Sequence, residues 1–129
     1  DRYGGYARMA ILAKDYLRAL RIRTQMARAA DDVLSKYDAL IAPTRATAAP
    51  AIEGDFRGVL SGNARDLMGA IGNGAGLPAV SVPNGFTKNG LPTGIQFMGR
   101  AYAENMILAA ARTYQTLTDW HTQHPKSLA

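Results

Sequence analysis

The chain contains no cysteine. A disulfide framework, a thiolate metal site and a thiol nucleophile are therefore excluded. No uncharged apolar run approaches the 18 or so residues needed to cross a bilayer, so no membrane partner is expected. No signal peptide opens the chain, and a cytoplasmic location is expected. The first residue is Asp1 rather than Met, which reads as a processed product or a piece of something longer. Serine and lysine are sparse: serine stands at 35, 61, 81 and 127, and lysine at 14, 36, 88 and 126. What is present is apolar enough to fold. Of 129 residues, 47% are hydrophobic and 19% charged, which argues against a disordered tail. That length suits one domain, which buries roughly two-thirds of the surface its unfolded chain exposes.

The net charge is +5, and 11 of the 15 bases are arginine. Residues 1–30 hold seven bases against two acids and carry the whole excess. Lys14, Arg18, Arg21, Gln25, Arg28 and Asp32 recur at spacings of 4 and 3, which lines one helix face. A basic stripe of this kind either tracks a phosphate backbone or is the wet face of an amphipathic helix. No aromatic platform accompanies it. The wet face is the reading adopted, and nucleic acid is not expected as a partner.

The periodicity predicts a helix over about residues 6–36, with Met9, Leu12, Tyr16 and Leu20 on its apolar face and Ala27, Ala30 and Leu34 continuing it. Residues 38–42 form a short apolar run closed by Pro43, the pattern of a buried strand. Residues 43–62, with Pro43, Pro50, Gly54, Gly58 and Gly62, read as an irregular segment. A loop of that length in a compact domain is usually functional or disordered. A short helix over 63–72 leads into Asn73-Gly74-Ala75-Gly76-Leu77-Pro78, which reads as a tight turn. Strands follow at 79–83 and 93–98. Asn84-Gly85 and Asn89-Gly90 lie between them, and Asn-Gly between apolar runs predicts an antiparallel hairpin. A second amphipathic helix runs over 104–120, with Ile107, Ala111, Tyr114 and Leu117 on one face and Pro125 beyond it.

Few groups here could carry chemistry. The glycines at 72, 74 and 76 fall out of step with G-x-G-x-x-G, and no Gly-Lys pair completes a phosphate loop. His121 and His124 could share a helix face, but Asp119 is the one carboxylate near them, and no metal or cofactor is expected. No serine stands in a G-x-S-x-G elbow or close to a histidine, and all four lysines fall in segments that read as exposed. No catalytic residue is therefore assigned. Among the acids, Asp66 is set apart in a largely apolar stretch, seven residues before Asn73. Such an acid either holds a substrate ammonium or amide beside the glycine bend, or stabilises a helix N-terminus through the dipole.

Several ordered motifs resemble one family. They are Tyr37-Asp38-Ala39-Leu40-Ile41-Ala42-Pro43-Thr44, then Ala49-Pro50, then Asn73 with Ala75-Gly76-Leu77-Pro78-Ala79-Val80-Ser81-Val82-Pro83-Asn84-Gly85-Phe86, then Gly90-Leu91-Pro92-Thr93-Gly94-Ile95-Gln96-Phe97-Met98-Gly99-Arg100. Together they resemble the carboxyl-terminal part of the amidase signature family. Tyr16-Leu17-Arg18-Ala19 before them, and Thr118-Asp119-Trp120-His121 after them, are similar to the family's flanking helices.

The resemblance implies an α/β fold: part of a mixed sheet with a long N-terminal helix and a C-terminal helix. Residues 1–129 would be a single unit within a larger amidase-type domain. It also implies amide hydrolysis by a Ser-Ser-Lys triad, with backbone N–H groups as oxyanion hole. No Ser-Ser pair occurs in this chain, and the family's catalytic groups lie upstream of the region it resembles. What transfers is Asp66, at a position resembling the acid that holds a substrate glutamine's amino group in the family's amidotransferases, and Asn73 in the family turn.

The chain is therefore expected to be the C-terminal part of an amidase-type hydrolase of carboxamide C–N bonds, inactive by itself. Its partners would be the missing N-terminal part of the fold and a small amide substrate. An unpaired sheet edge or apolar face is expected to drive self-association. The alternatives are a non-catalytic binding or scaffold module, and a fragment of an amidotransferase-type subunit.

Overall fold

The computed structural model describes residues 10–54 and 67–125. Helix α1 spans Ala13–Leu34 and is rich in Ala, Leu and Arg, strong helix formers. Leu12 precedes it in an extended conformation without a side-chain cap, and Asp15 places a negative charge in the first turn, where the dipole favours it. At the far end Ser35 donates its hydroxyl to Asp32 O at 2.8 Å.

Strand β1 is Leu40–Pro43, helix α2 Leu67–Ala75, β2 Ala79–Phe86, β3 Pro92–Met98 and α3 Glu104–Leu117. A single 3₁₀ turn, Trp120–Thr122, follows.

The sheet order is β1-β3-β2. Leu40 pairs with Met98 and Pro43 with Ile95 on one side of β3; Ala79 pairs with Met98 and Val82 with Ile95 on the other. The expected α/β class holds, with its long first helix and its closing helix. The pairings, however, are all antiparallel among the described residues, where a mixed sheet was expected. The reason is topological. Strands β1 and β2 run in the same direction, but β3 lies between them, so the parallel pair is split and never hydrogen-bonds.

Alternation along β3 gives the sheet two faces. Val82 and Phe97 pack with Ile107 and Ala111 of α3, and Val80, Ile95 and Tyr114 close over them. The Phe97 and Tyr114 rings meet at 6.0 Å, tilted by 58°. The opposite face carries Gln96 and Met98, both buried. There α2 reaches the sheet: a Cβ on Gly72 would stand 2.5 Å from Met98 Cε.

Helix α1 differs from its expected packing. Leu34 is its one buried residue, while Leu12, Tyr16 and Leu20, on the predicted inward face, are 58%, 58% and 39% exposed. The basic residues Lys14, Arg18, Arg21 and Arg28 are exposed. A bidentate pair ties the helix to the end of β3: Arg100 donates Nε to Asp31 Oδ1 at 2.7 Å and Nη2 to Oδ2 at 3.0 Å. The hydrogen bonds and the guanidinium charge hold the Asp31 carboxyl below its ordinary range.

Candidate functional site

Among the described residues, a concavity lies at the Gly94 end of the sheet face that α2 reaches at Met98. It measures about 650 Å³ and is lined by Thr44, Arg45, Ser81, Pro83, Thr93, Gly94 and the segment 46–50, among others. That volume suits a small-molecule site.

Three local features build it. The ladder continues one residue past β1, where Thr44 N–H donates to Gly94 O at 2.8 Å. Beneath it, buried Gln96 donates Nε2 to Pro43 O at 3.1 Å, which fixes the strand end that carries Thr44. On the neighbouring strand Thr93 donates its hydroxyl to Asn84 Oδ1 at 2.8 Å.

Across this frame the Thr44 and Ser81 hydroxyls meet at 2.5 Å, and either can donate. Gly94 is what makes room for them. A Cβ there would lie 2.8 Å from Thr44 Oγ1 and 3.1 Å from Ser81 Oγ. Among the described residues, the lining includes no histidine, lysine or carboxylate. The pair can therefore donate and accept hydrogen bonds, but it has no neighbouring general base to make a nucleophile of either hydroxyl.

Of the two sequence-predicted site residues, one is described. Asp66 is outside the described residues. Asn73 is exposed on the last turn of α2 and lines neither this concavity nor the smaller one of about 510 Å³ beside the β2–β3 turn.

The segment 73–78 is not the free turn expected. Asn73, Gly74 and Ala75 still belong to α2, and the helix closes at Gly76, φ 74°. Gly76 N–H and Leu77 N–H both donate to Gly72 O, at 2.8 and 2.9 Å. This is a glycine C-cap in which a left-handed residue lets the chain turn back on its last carbonyls. Arg23 of α1 adds a bond from Nε to Gly74 O at 3.1 Å, a cation at the negative end of the helix.

His121 lies within the 3₁₀ turn and His124 just beyond it, both exposed. Among the described residues no three metal-ligating side chains converge. Nor is any helix among them long and apolar enough to cross a membrane.

Sequence reasoning misses the Thr44–Ser81 pair. The two stand 37 residues apart, beyond the reach of any argument from sequence neighbours. The available signal is the strand register: once β1 and β2 both flank β3, Thr44 and Ser81 fall on one face.

Comparison with known proteins bears on most of the chain. The Amidase family model matches residues 4–108. A glutamyl-tRNA(Gln) amidotransferase subunit of Methanosarcina mazei is 41% identical over 116 residues, which cover 90% of this chain and 24% of that protein. The protein of the same name from Neisseria meningitidis serogroup C is 40% identical over 111 residues, 86% of this chain and 23% of that one. The crystal structure of the Thermotoga maritima protein, again of that name, superposes with a TM-score of 0.53 at 30% identity, covering 81% of this chain and 25% of that one. The chain thus spans about a quarter of the length of the relatives it matches. With the family model covering most of its residues, the chain belongs to the amidase family.

Proposed function

We propose that this chain is the C-terminal part of an amidase-type hydrolase acting on carboxamide C–N bonds, and that it forms one wall of the substrate pocket. The observation that carries the reading is the combination of family membership with a concavity that holds hydroxyls and, among the described residues, no base. Hydrolysis of an amide needs an activated nucleophile and stabilised charge on the carbonyl oxygen. The groups around Thr44 and Ser81 supply neither, so the reacting groups come from outside these residues. The Ser-Ser-Lys set that the family resemblance implies would fill that role.

On this reading Asp66 and Asn73 are substrate-binding positions, and residues 1–129 act as one unit within a cytoplasmic enzyme. The partner is the N-terminal part of the fold. The exposed apolar residues of α1 support that partner, and the chain without it would self-associate. A second reading, an amidotransferase-type fragment that works on glutamine, is favoured by the names of the relatives at about 40% identity.

The test is ammonia release from propionamide and from L-glutamine. The chain alone should release none. The chain expressed in frame with the coding sequence that precedes it should release ammonia, from propionamide on the first reading and from glutamine on the second. Absence of release from either substrate would refute both and leave a non-catalytic module. Release by the isolated chain would show that a reacting set lies within it.

A further inference from the structure

The Thr44–Ser81 pair has a hydrogen-bonding capacity that can be counted. Two hydroxyls bring two hydrogens and four lone pairs. The bond between them, at 2.5 Å, uses one of each. One O–H on one residue and lone pairs on both remain for a visitor. Both residues border the concavity, and Gly94 leaves the space beneath them free of a side chain of its own.

A ligand that satisfies this pair must present one acceptor and one donor on neighbouring atoms. A primary carboxamide does so. Its oxygen accepts the free O–H and its NH₂ donates to the other hydroxyl oxygen. Its O and N stand about 2.2 Å apart by the C=O and C–N bond lengths, close to the 2.5 Å between the two hydroxyl oxygens. A carboxylate matches only half. One oxygen accepts the O–H, while the second faces a lone pair. An ammonium group donates but leaves the O–H unanswered.

We propose that Thr44 and Ser81 form a carboxamide-recognition pair that prefers an amide to the corresponding carboxylate, and so separates the substrate of an amidase from its acid product. The inference rests on the amidase reading and deepens it. It assigns a specificity role to two residues outside the nucleophile–base machinery. Release of product then follows from chemistry already present: hydrolysis replaces the donor NH₂ by an oxygen, which either faces a lone pair or is met only by breaking the Thr44–Ser81 bond, so the acid keeps one hydrogen bond fewer than the amide. Arg45 borders the same concavity and already has an interaction of its own. It is the group that would favour the opposite outcome, a site for carboxylates.

Ligand-observed saturation-transfer titration of the 129-residue chain with propionamide and with propionate tests this, and the readout does not depend on association state. Propionamide should bind and propionate should bind more weakly. Ser81→Ala and Thr44→Val should each weaken propionamide by about threefold to tenfold, the worth of one hydrogen bond, and bring the two probes together. Gly94→Ala, whose Cβ displaces both hydroxyls, should do the same. Thr113→Ala, which removes a hydroxyl bonded to Ala109 O on α3, should change nothing and serves as the folding control.

Equal binding of the two probes, tighter propionate, or propionamide binding that survives Ser81→Ala and Thr44→Val would overturn the proposal. So would the absence of any propionamide binding. These outcomes are separable from failure of the amidase reading. An amide preference retained by a chain whose extended form releases no ammonia would sink that reading and leave a binding module. Ammonia release without an amide preference would sink the recognition pair alone.

Discussion

Gly94→Ala is the sharpest test of the site's geometry. The added Cβ would stand 2.8 Å from Thr44 Oγ1, 3.1 Å from Ser81 Oγ and 3.3 Å from Thr44 Cβ. The first distance is shorter than real Cβ contacts allow, and Thr44 is β-branched with restricted χ1. The side chain cannot simply swing away, because Thr44 N–H is bonded to Gly94 O in the same ladder. Overpacking of this kind costs about 1–3 kcal/mol. Separating the two hydroxyls loses roughly 0.5–1.5 kcal/mol more, at the lower end for an exposed pair. Against this, alanine restricts the unfolded chain and relieves the strand of a glycine, a gain of about 0.5–1 kcal/mol. The net expectation is a loss of about 0.5–3 kcal/mol, measured by urea unfolding with circular dichroism. A double-mutant cycle isolates the cause. With Thr44→Ala in place the clashing oxygen is gone, so Gly94→Ala should become neutral or mildly stabilising, a coupling of about 1 kcal/mol or more. Additive effects in that cycle would show that the hydroxyl pair does not occupy the space over Gly94.

Phe97→Ala removes a ring that is 4% exposed and touches Tyr114. At about 3–5 kcal/mol for such a truncation, it should abolish cooperative unfolding in a scaffold of this size, as read by loss of the urea transition. Gly76→Ala, at φ 74° with Arg23 Nη2 3.2 Å from the new Cβ, should cost about 1–2 kcal/mol, and Gly76→Asn distinctly less, because asparagine tolerates the left-handed region. Equal losses for the two would remove the left-handed cap as the cause. Asp31→Asn should flatten the acid limb of the stability curve. The folded carboxyl lies below its ordinary 3.8, so the pair with Arg100 contributes fully above that value and is lost as pH falls through the lowered one. Urea midpoints measured from pH 6 down to pH 2 should therefore fall less steeply for the variant, and an unchanged slope would mean that the pair is not formed in solution.

How far each feature is legible in the sequence depends on how local it is. The β2–β3 hairpin is readable from its turn: Gly90 takes φ 78°, and Thr87 N–H closes onto Leu91 O. The identical dipeptide Asn84-Gly85 is ambiguous for the same reason. It supplies positive φ too, but spends it on a bulge inside β2, where the register shifts between Pro83 and Gly85 and the Trp120 ring lies beside the glycine. The glycine-rich end of α2 reads as a turn and is not one. Propensity argues against a helix through Gly72, Gly74 and their neighbours, and tertiary support from Arg23 overrides it. The hydroxyl pair is beyond local reading, because it exists only once two strands have been set on either side of a third.

Two observations at opposite ends of the molecule point the same way. At the concavity, chemistry is half-provided: hydroxyls, a bare glycine and a buried glutamine in support, with no base in the lining among the described residues. On α1, packing is half-provided: the helix has a regular apolar periodicity, yet Tyr16 and Leu17, like Ile11 and Leu12 just before it, remain more than half exposed. Periodicity of that kind is what a helix carries when its face is covered. Large apolar residues left open in sequence-adjacent turns signal an interaction surface. The two outer sheet edges divide similarly. Both edge strands contain a proline, Pro43 in β1 and Pro83 in β2, but β2 also carries a bulge, which discourages pairing. Strand β1 has no such bulge and leaves Ile41 62% exposed. A segment that joined the β1 edge and covered α1 would complete the packing. If it also carried a hydroxyl nucleophile and an amine base, it would complete the chemistry in the same step.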